Sequence, residues 1–197
     1  MRIVLATGNR GKLREFRELL SPLRMEVLPL SDFTRDSADE TGLSFIENAI
    51  LKARFAARAS GLPAIADDSG LEVDGLRGAP GIYSARYAGQ GASDEANLQK
   101  LLQAVAPLEA SERTARYQCA LAYMKWDTDA SPLVCQASWE GRIVLERRGA
   151  GGFGYDPIFE IAGDTRTAAE LASVEKHRIS HRGKALRTML ELLKASQ

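Results

Sequence analysis

Apolar and polar positions change their period several times along the chain, and each change marks an element. Residues 2–6 are apolar and β-branched, Thr7-Gly8-Asn9-Arg10-Gly11-Lys12 interrupts them, and Leu13, Phe16, Leu19 and Leu20 then recur at helical spacing. That order predicts strand, glycine-containing loop, helix. Residues 25–29 predict a second strand and 31–40 a polar, acidic loop. Ser44-Phe45-Ile46-Glu47 has the form of a capping box. The helix it opens carries Phe45, Ile46, Ala49, Ile50, Ala53, Ala56 and Ala57 inward, with Asn48 and Lys52 on its polar face and Gly61 as its stop. In Leu62-Pro63-Ala64-Ile65-Ala66-Asp67-Asp68-Ser69-Gly70, punctuation at both ends predicts a short buried strand over 64–66 and a turn over 67–70.

Further on, Ser93 or Asp94 starts a helix carrying Leu98, Leu101, Leu102 and Val105, closed by Pro107. Residues 115–124 read as a strand, 133–139 and 142–147 as two more that turn near Glu140-Gly141, and 158–161 as a buried strand. Ala185, Leu186, Met189, Leu190 and Leu193 form the stripe of a last amphipathic helix. Helix–strand alternation early and successive strands late imply an α/β protein whose mixed sheet contains antiparallel pairs.

Composition narrows this picture. A chain of 197 residues, 45% hydrophobic and 26% charged, suits one large domain or two small lobes with a sizeable core. Lys+Arg and Asp+Glu both number 26, so the net charge of zero argues against a broad footprint for nucleic acid or an anionic membrane. No run approaches a transmembrane helix, and the first residues lack a signal-peptide pattern. Cys119 and Cys135 lie in apolar segments without metal-ligand spacing, which reads as buried free thiols in a reducing cytoplasm.

Four stretches carry candidate chemistry. The loop of Thr7, Gly8, Asn9, Arg10, Gly11 and Lys12 brings amide, hydroxyl and ammonium donors to a helix N-terminus, which favours anions, although it is not a Walker A loop. At Asp67-Asp68, successive side chains of an extended segment point opposite ways. One carboxylate can then serve a cation or water while the other braces the loop. Glu40 reads either as a solvated loop acid or as a second metal ligand. In Gly149-Ala150-Gly151-Gly152-Phe153-Gly154-Tyr155-Asp156-Pro157, Phe153 either lies flat against a ligand or plugs the core. Tyr83 and Tyr87 are read as packing residues rather than interface residues. Lys176, His177, His181 and Arg182 form a basic stretch better suited to an anion or a base than to zinc. Phosphate, metal and base recognition together describe a nucleotide site, and metal-assisted hydrolysis of a nucleoside triphosphate is the natural reaction class.

Six motifs occur in order: Thr7-Gly8-Asn9-x-Gly11-Lys12, Glu40-Thr41-Gly42 with Phe45-x-Glu47-Asn48-Ala49, Ala66-Asp67-Asp68-Ser69-Gly70-Leu71, Gly78-Ala79-Pro80-Gly81-x-Tyr83-Ser84-Ala85-Arg86, Gly152-Phe153-Gly154-Tyr155-Asp156-Pro157 and Ser180-His181-Arg182-Gly183. Together they resemble the inosine triphosphate pyrophosphatase family in its bacterial dITP/XTP form, over nearly the whole chain. The resemblance implies Mg²⁺-dependent hydrolysis of ITP, dITP and XTP to the monophosphate and pyrophosphate, by a cytoplasmic homodimer with no nucleic-acid or membrane partner. It implies a single domain over 1–197, an elongated α/β fold with a long twisted mixed sheet and two lobes flanking an active-site cleft. By motif, Asp68 is the general base or a metal ligand, and Glu40 is a second metal-site carboxylate. Thr7 to Lys12 and Lys52 hold phosphates, while Ser69, Phe153, Gly154, Tyr155, Asp156, Lys176, His181 and Arg182 hold the nucleoside. A nucleotide sensor without turnover, a nucleic-acid-binding protein and a pyrophosphatase for other nucleotides are the alternatives.

Overall fold

The computed structural model describes residues 2–20 and 25–196, apart from the side chains of Arg10, Glu15, Glu18 and Leu19. The strands are β1 (Arg2–Ala6), β2 (Glu26–Pro29), β3 (Ala64–Val73), β4 (Thr114–Met124), β5 (Leu133–Ile143) and β6 (Phe159–Ile161). The helices are α1 (Arg10–Leu20), α2 (Phe45–Ser60), α3 (Asp94–Val105), α4 (Ser173–Ile179) and α5 (His181–Ala195). All six strands belong to one open sheet in the order β2-β1-β3-β4-β5-β6. β1 runs parallel to β2 and to β3, and β5 runs antiparallel to β6, so the sheet is mixed.

The chain divides into two compact units. The first contains Met1–Asp68, Cys119–Gln136 and Ala185–Gln197; the second contains Ser69–Gln118 and Ala137–Lys184. In the first, Ile3, Val4 and Leu5 of β1 are fully buried together with Phe16 and Leu20 of α1 and Ala49, Ala53 and Ala56 of α2. Small residues at those α2 positions let the helix lie close on β1. In the second, Leu71, Val73, Leu98, Leu101, Tyr117, Trp139, Ile143 and Phe159 belong to one apolar cluster.

Capping follows the sequence closely. The Ser44 hydroxyl accepts from the Glu47 amide at the start of α2, and Gly61 ends that helix in the left-handed conformation. The inner face of α2 differs from the expectation in one respect. Ile46 is exposed and Asn48 is buried, because the Asn48 side chain accepts from the Gly42 amide at 2.9 Å and so pins the incoming loop.

Two predicted turns are absent. The strand expected to end at Ala66 continues through Asp67, Asp68, Ser69 and Gly70 to Val73. β3 has a sheet neighbour on each side, and ladder pairing overrides the turn preference of Asp, Ser and Gly. Likewise β5 runs unbroken through Glu140-Gly141, and Gly141 pairs with Ile161 of β6. A Cβ at Gly141 would overlap the Glu160 carbonyl and the Phe159 ring, so this glycine marks close backbone approach rather than a turn. Tyr87 packs against the core as expected, whereas Tyr83 is exposed, with the Arg86 guanidinium 5.3 Å from its ring centroid. Cys119 and Cys135 are buried, and among the described residues neither forms a disulfide. Among the described residues, no helix is long and apolar enough to cross a membrane.

Candidate active site

In the first unit the parallel pairing Ala6↔Ala66 brings the loop after β1 beside Asp67 of β3. The Lys12 ammonium ion-pairs with Asp67, whose side chain is fully buried, and the Cys119 thiol donates to the other Asp67 oxygen at 3.4 Å. The loop itself is tightly organised. Asn9 Oδ1 accepts from the amides of Gly11 and Lys12 at 2.8 and 3.1 Å, and Thr7 Oγ1 accepts from the Asn9 amide at 3.1 Å. An acceptor oxygen therefore already sits at the start of α1, where an anion would be favoured. Gly8 and Asn9 are exposed, and the Arg10 side chain lies outside the described residues.

One residue further along β3, the carboxylate of Asp68 meets a different lysine. Lys52 of α2 donates to Asp68 Oδ1 at 2.5 Å and to Glu40 Oε1 at 3.2 Å. This α2 lysine thus bridges two carboxylates, and Asp67 and Asp68 take separate partners as strand alternation requires. Asp68 Oδ2 is buried and accepts from no described group. Burial holds the Asp68 carboxyl above the ordinary carboxylate range, against the pull of Lys52. Burial acts to lower the Lys52 ammonium, but Asp68, Glu40 and Asp67 together outweigh it and raise its pKa. The outcome is a protonated lysine beside a carboxylate of increased basicity. Among the described residues, no group of three or more His, Cys, Asp or Glu converges as a metal cage.

The second unit gathers a different set. Arg182, buried in the first turn of α5, donates to Ser69 Oγ at 3.1 Å. Its Cζ lies 5.9 Å from the centroid of the Phe153 ring, and Lys176 Nζ lies 5.2 Å from it. Phe153 is partly exposed, so it does not plug the core. Asp156 is buried and takes Lys176 Nζ at 2.5 Å and the Phe153 amide at 2.8 Å on one oxygen, and the Tyr117 hydroxyl at 3.2 Å on the other. The Gly154 amide donates to Asp94 at 3.1 Å. The Tyr155 side chain turns into the core and its hydroxyl donates to the Ser84 carbonyl at 2.7 Å.

Two glycines permit this arrangement. Gly152 has φ 73°, and a Cβ there would overlap the Asp156 carboxylate. Gly183 lies against the His177 carbonyl so closely that any Cβ would overlap it. The His181 ring is buried and nearly parallel to the Tyr117 ring, with 4.8 Å between centroids and 9° between planes. Sequence patterning did not single out Tyr117, which reads there as one apolar position of a strand. It named Asp94 and Ser84 but not their contacts with Gly154 and Tyr155, which lie far along the chain.

The first unit thus offers ion-paired carboxylates and lysines, and the second offers aromatic and cationic groups around an ordered loop. Residues 3–192 match the model of the Ham1 family, and this chain belongs to that family. It is similar to the dITP/XTP pyrophosphatase of Thioalkalivibrio sulfidiphilus, with 60% identity over 193 residues and 98% of each chain covered. The protein of the same description from Escherichia coli K12 is 55% identical over 193 residues, again covering 98% of each. Among solved structures, a HAM1 protein from Coxiella burnetii has a TM-score of 0.92 and 48% identity, covering 99% of both chains. The family resemblance drawn from the six motifs is borne out.

Proposed function

We propose that this chain hydrolyses deaminated purine nucleoside triphosphates (ITP, dITP and XTP) to the nucleoside monophosphate and pyrophosphate. The observation that carries the reading is Asp68: a buried carboxylate of raised basicity, one oxygen held by Lys52 and the other without a described partner. The names of the relatives supply the substrate class.

In this reading Asp68 takes a proton from water as the water oxygen bonds to the α-phosphorus. The bond from that phosphorus to the bridging oxygen breaks, and pyrophosphate leaves with the electron pair. Lys52, protonated beside Asp68, and Lys12 offset charge that develops on the phosphate oxygens. Magnesium fits this donor set, because it is commonly held by one or two carboxylates and completed by substrate phosphates and water. Glu40 would hold it, with Asp68 beside it kept for the proton, and when bound it would supply Lewis-acid polarisation of the phosphates. Phosphate contacts fall to the loop of Thr7 to Lys12.

Base recognition falls to Phe153, Gly154, Tyr155, Asp156, Lys176, His181 and Arg182, with Ser69 beside Arg182. Hypoxanthine and xanthine present an O6 acceptor and an N1–H donor, whereas adenine presents an amino group at position 6. Cationic donors such as Lys176 and Arg182 accept nothing, so adenine would be badly paired there. A homodimer in the cytoplasm is the assembly and setting that go with this reading, and light scattering on the purified protein tests the first.

Pyrophosphate and orthophosphate release, measured with Mg²⁺ and ITP, XTP, ATP, GTP or dTTP in separate reactions, tests the function. Pyrophosphate from ITP and XTP, with little from ATP, is expected. Orthophosphate as the product, or equal rates on ATP, would overturn the cleavage position or the base selectivity.

A further inference from the structure

We propose that Tyr117 is a positioning residue for nucleobase selection, fixing Asp156 through its hydroxyl and the plane of His181 through its ring. The inference rests on the reading that the 153–156 loop, Lys176 and His181 hold the base. Tyr117 lies on β4, buried among Trp139 and Phe159, whose ring centroids are 6.4 and 4.7 Å from its own. Trp139 is also stacked with His181, at 6.3 Å and 19°, so three rings lie nearly parallel. A ring held this way has one place to put its hydroxyl.

That hydroxyl reaches Asp156 Oδ1 at 3.2 Å. Burial, and then the charge of Asp156, push the phenol well above its ordinary pKa, so Tyr117 remains a donor. The second Asp156 oxygen is occupied by Lys176 and by the Phe153 amide. With three donors on its two oxygens, Asp156 acts as an aiming device for Lys176 and for the Phe153 backbone. Lysine has a flexible four-carbon stem, and an ammonium free to swing can satisfy either an O6 or a ring nitrogen. Discrimination between a 6-oxo and a 6-amino purine requires the donor to be held in one direction. Tyr117 holds the carboxylate that holds the lysine.

The test compares Tyr117→Phe, which keeps the ring and removes one oxygen, with Tyr117→Leu, which removes both contacts. Steady-state kinetics on ITP and ATP, and thermal unfolding, are measured for each. Tyr117→Phe is expected to raise KM for ITP roughly tenfold and to lower the ITP-over-ATP ratio of kcat/KM by about the same factor. The kcat for ITP should stay within about twofold, because uniform binding is what has been lost. Tyr117→Leu should lower the ratio further. Asp156→Asn and Lys176→Met are run alongside. If they shift KM and the ratio while Tyr117→Phe shifts neither, Tyr117 does not position the base site and the proposal fails alone. If none of the variants moves either quantity, the base-binding reading fails and the proposal with it. A fall in melting temperature and kcat at unchanged selectivity would reduce Tyr117 to packing and also overturn it.

Discussion

The candidate-site carboxylates of the first unit face lysines, whereas Asp156 of the second adds a buried phenol and a backbone amide to its lysine. In the first, Lys12 faces Asp67, and Lys52 faces Glu40 and Asp68. In the second, Tyr117, Trp139, Phe159 and His181 are packed ring against ring, and that packing fixes the Tyr117 hydroxyl, one of the donors to Asp156. A ligand that displaces one partner of a buried ion pair must replace the charge it removes, whereas a packed aromatic set keeps its geometry. On the proposed function the difference suits a division of labour: the ion-paired groups meet the charged phosphates, and the packed set holds the base.

The largest effect expected from breaking this contrast is at Asp68. Asp68→Asn should lower kcat by about 10²–10⁴-fold, the range for loss of a general base, while nucleotide binding persists. Near-normal turnover would remove Asp68 from the chemistry. A carboxyl whose pKa is raised on folding contributes stability below its unfolded value and loses that contribution as pH rises through the folded value, so the contribution of Asp68 to stability should decline from acid towards neutral pH. Activity has the opposite sign: kcat/KM should fall as acid protonates Asp68, with the acid limb above the ordinary carboxylate range. A limb near pH 4 would contradict the buried environment described for this group.

Next in size is Phe153→Ala in the second unit. Loss of base stacking worth about 1–3 kcal/mol should raise KM for ITP roughly 5- to 150-fold with little change in kcat. An unchanged KM would mean that the exposed ring serves only as a platform for Lys176 and Arg182. The smallest effect belongs to Ser44, which caps α2 and touches no proposed substrate group. Ser44→Ala should destabilise the protein by about 1 kcal/mol, or roughly 2–4 °C in melting temperature, with kcat and KM unaltered.

Much of the first unit was legible because its signals are local. The apolar run before Thr7, the helical spacing after Lys12, and Ser44 followed by Glu47 each announce an element within a few residues. The continuity of β3 was not legible, since Asp67-Asp68-Ser69-Gly70 has the composition of a turn and only flanking strands keep it extended. Gly141 misled in the same way, because the glycine needed for close approach to β6 looks like the glycine of a hairpin. Tyr117 was hidden for a different reason: its partner Asp156 lies 39 residues away and no local pattern links them. Pairings made within one helix or loop can be read in advance, while those made across the sheet depend on topology.

Gly183 carries a consequence for the history of the chain. Its α-hydrogen occupies the only space left beside the His177 carbonyl. Every missense change in that codon installs a β-carbon, so the position has no neutral neighbours in sequence space, and drift can reach another residue there only after the preceding turn has been rebuilt.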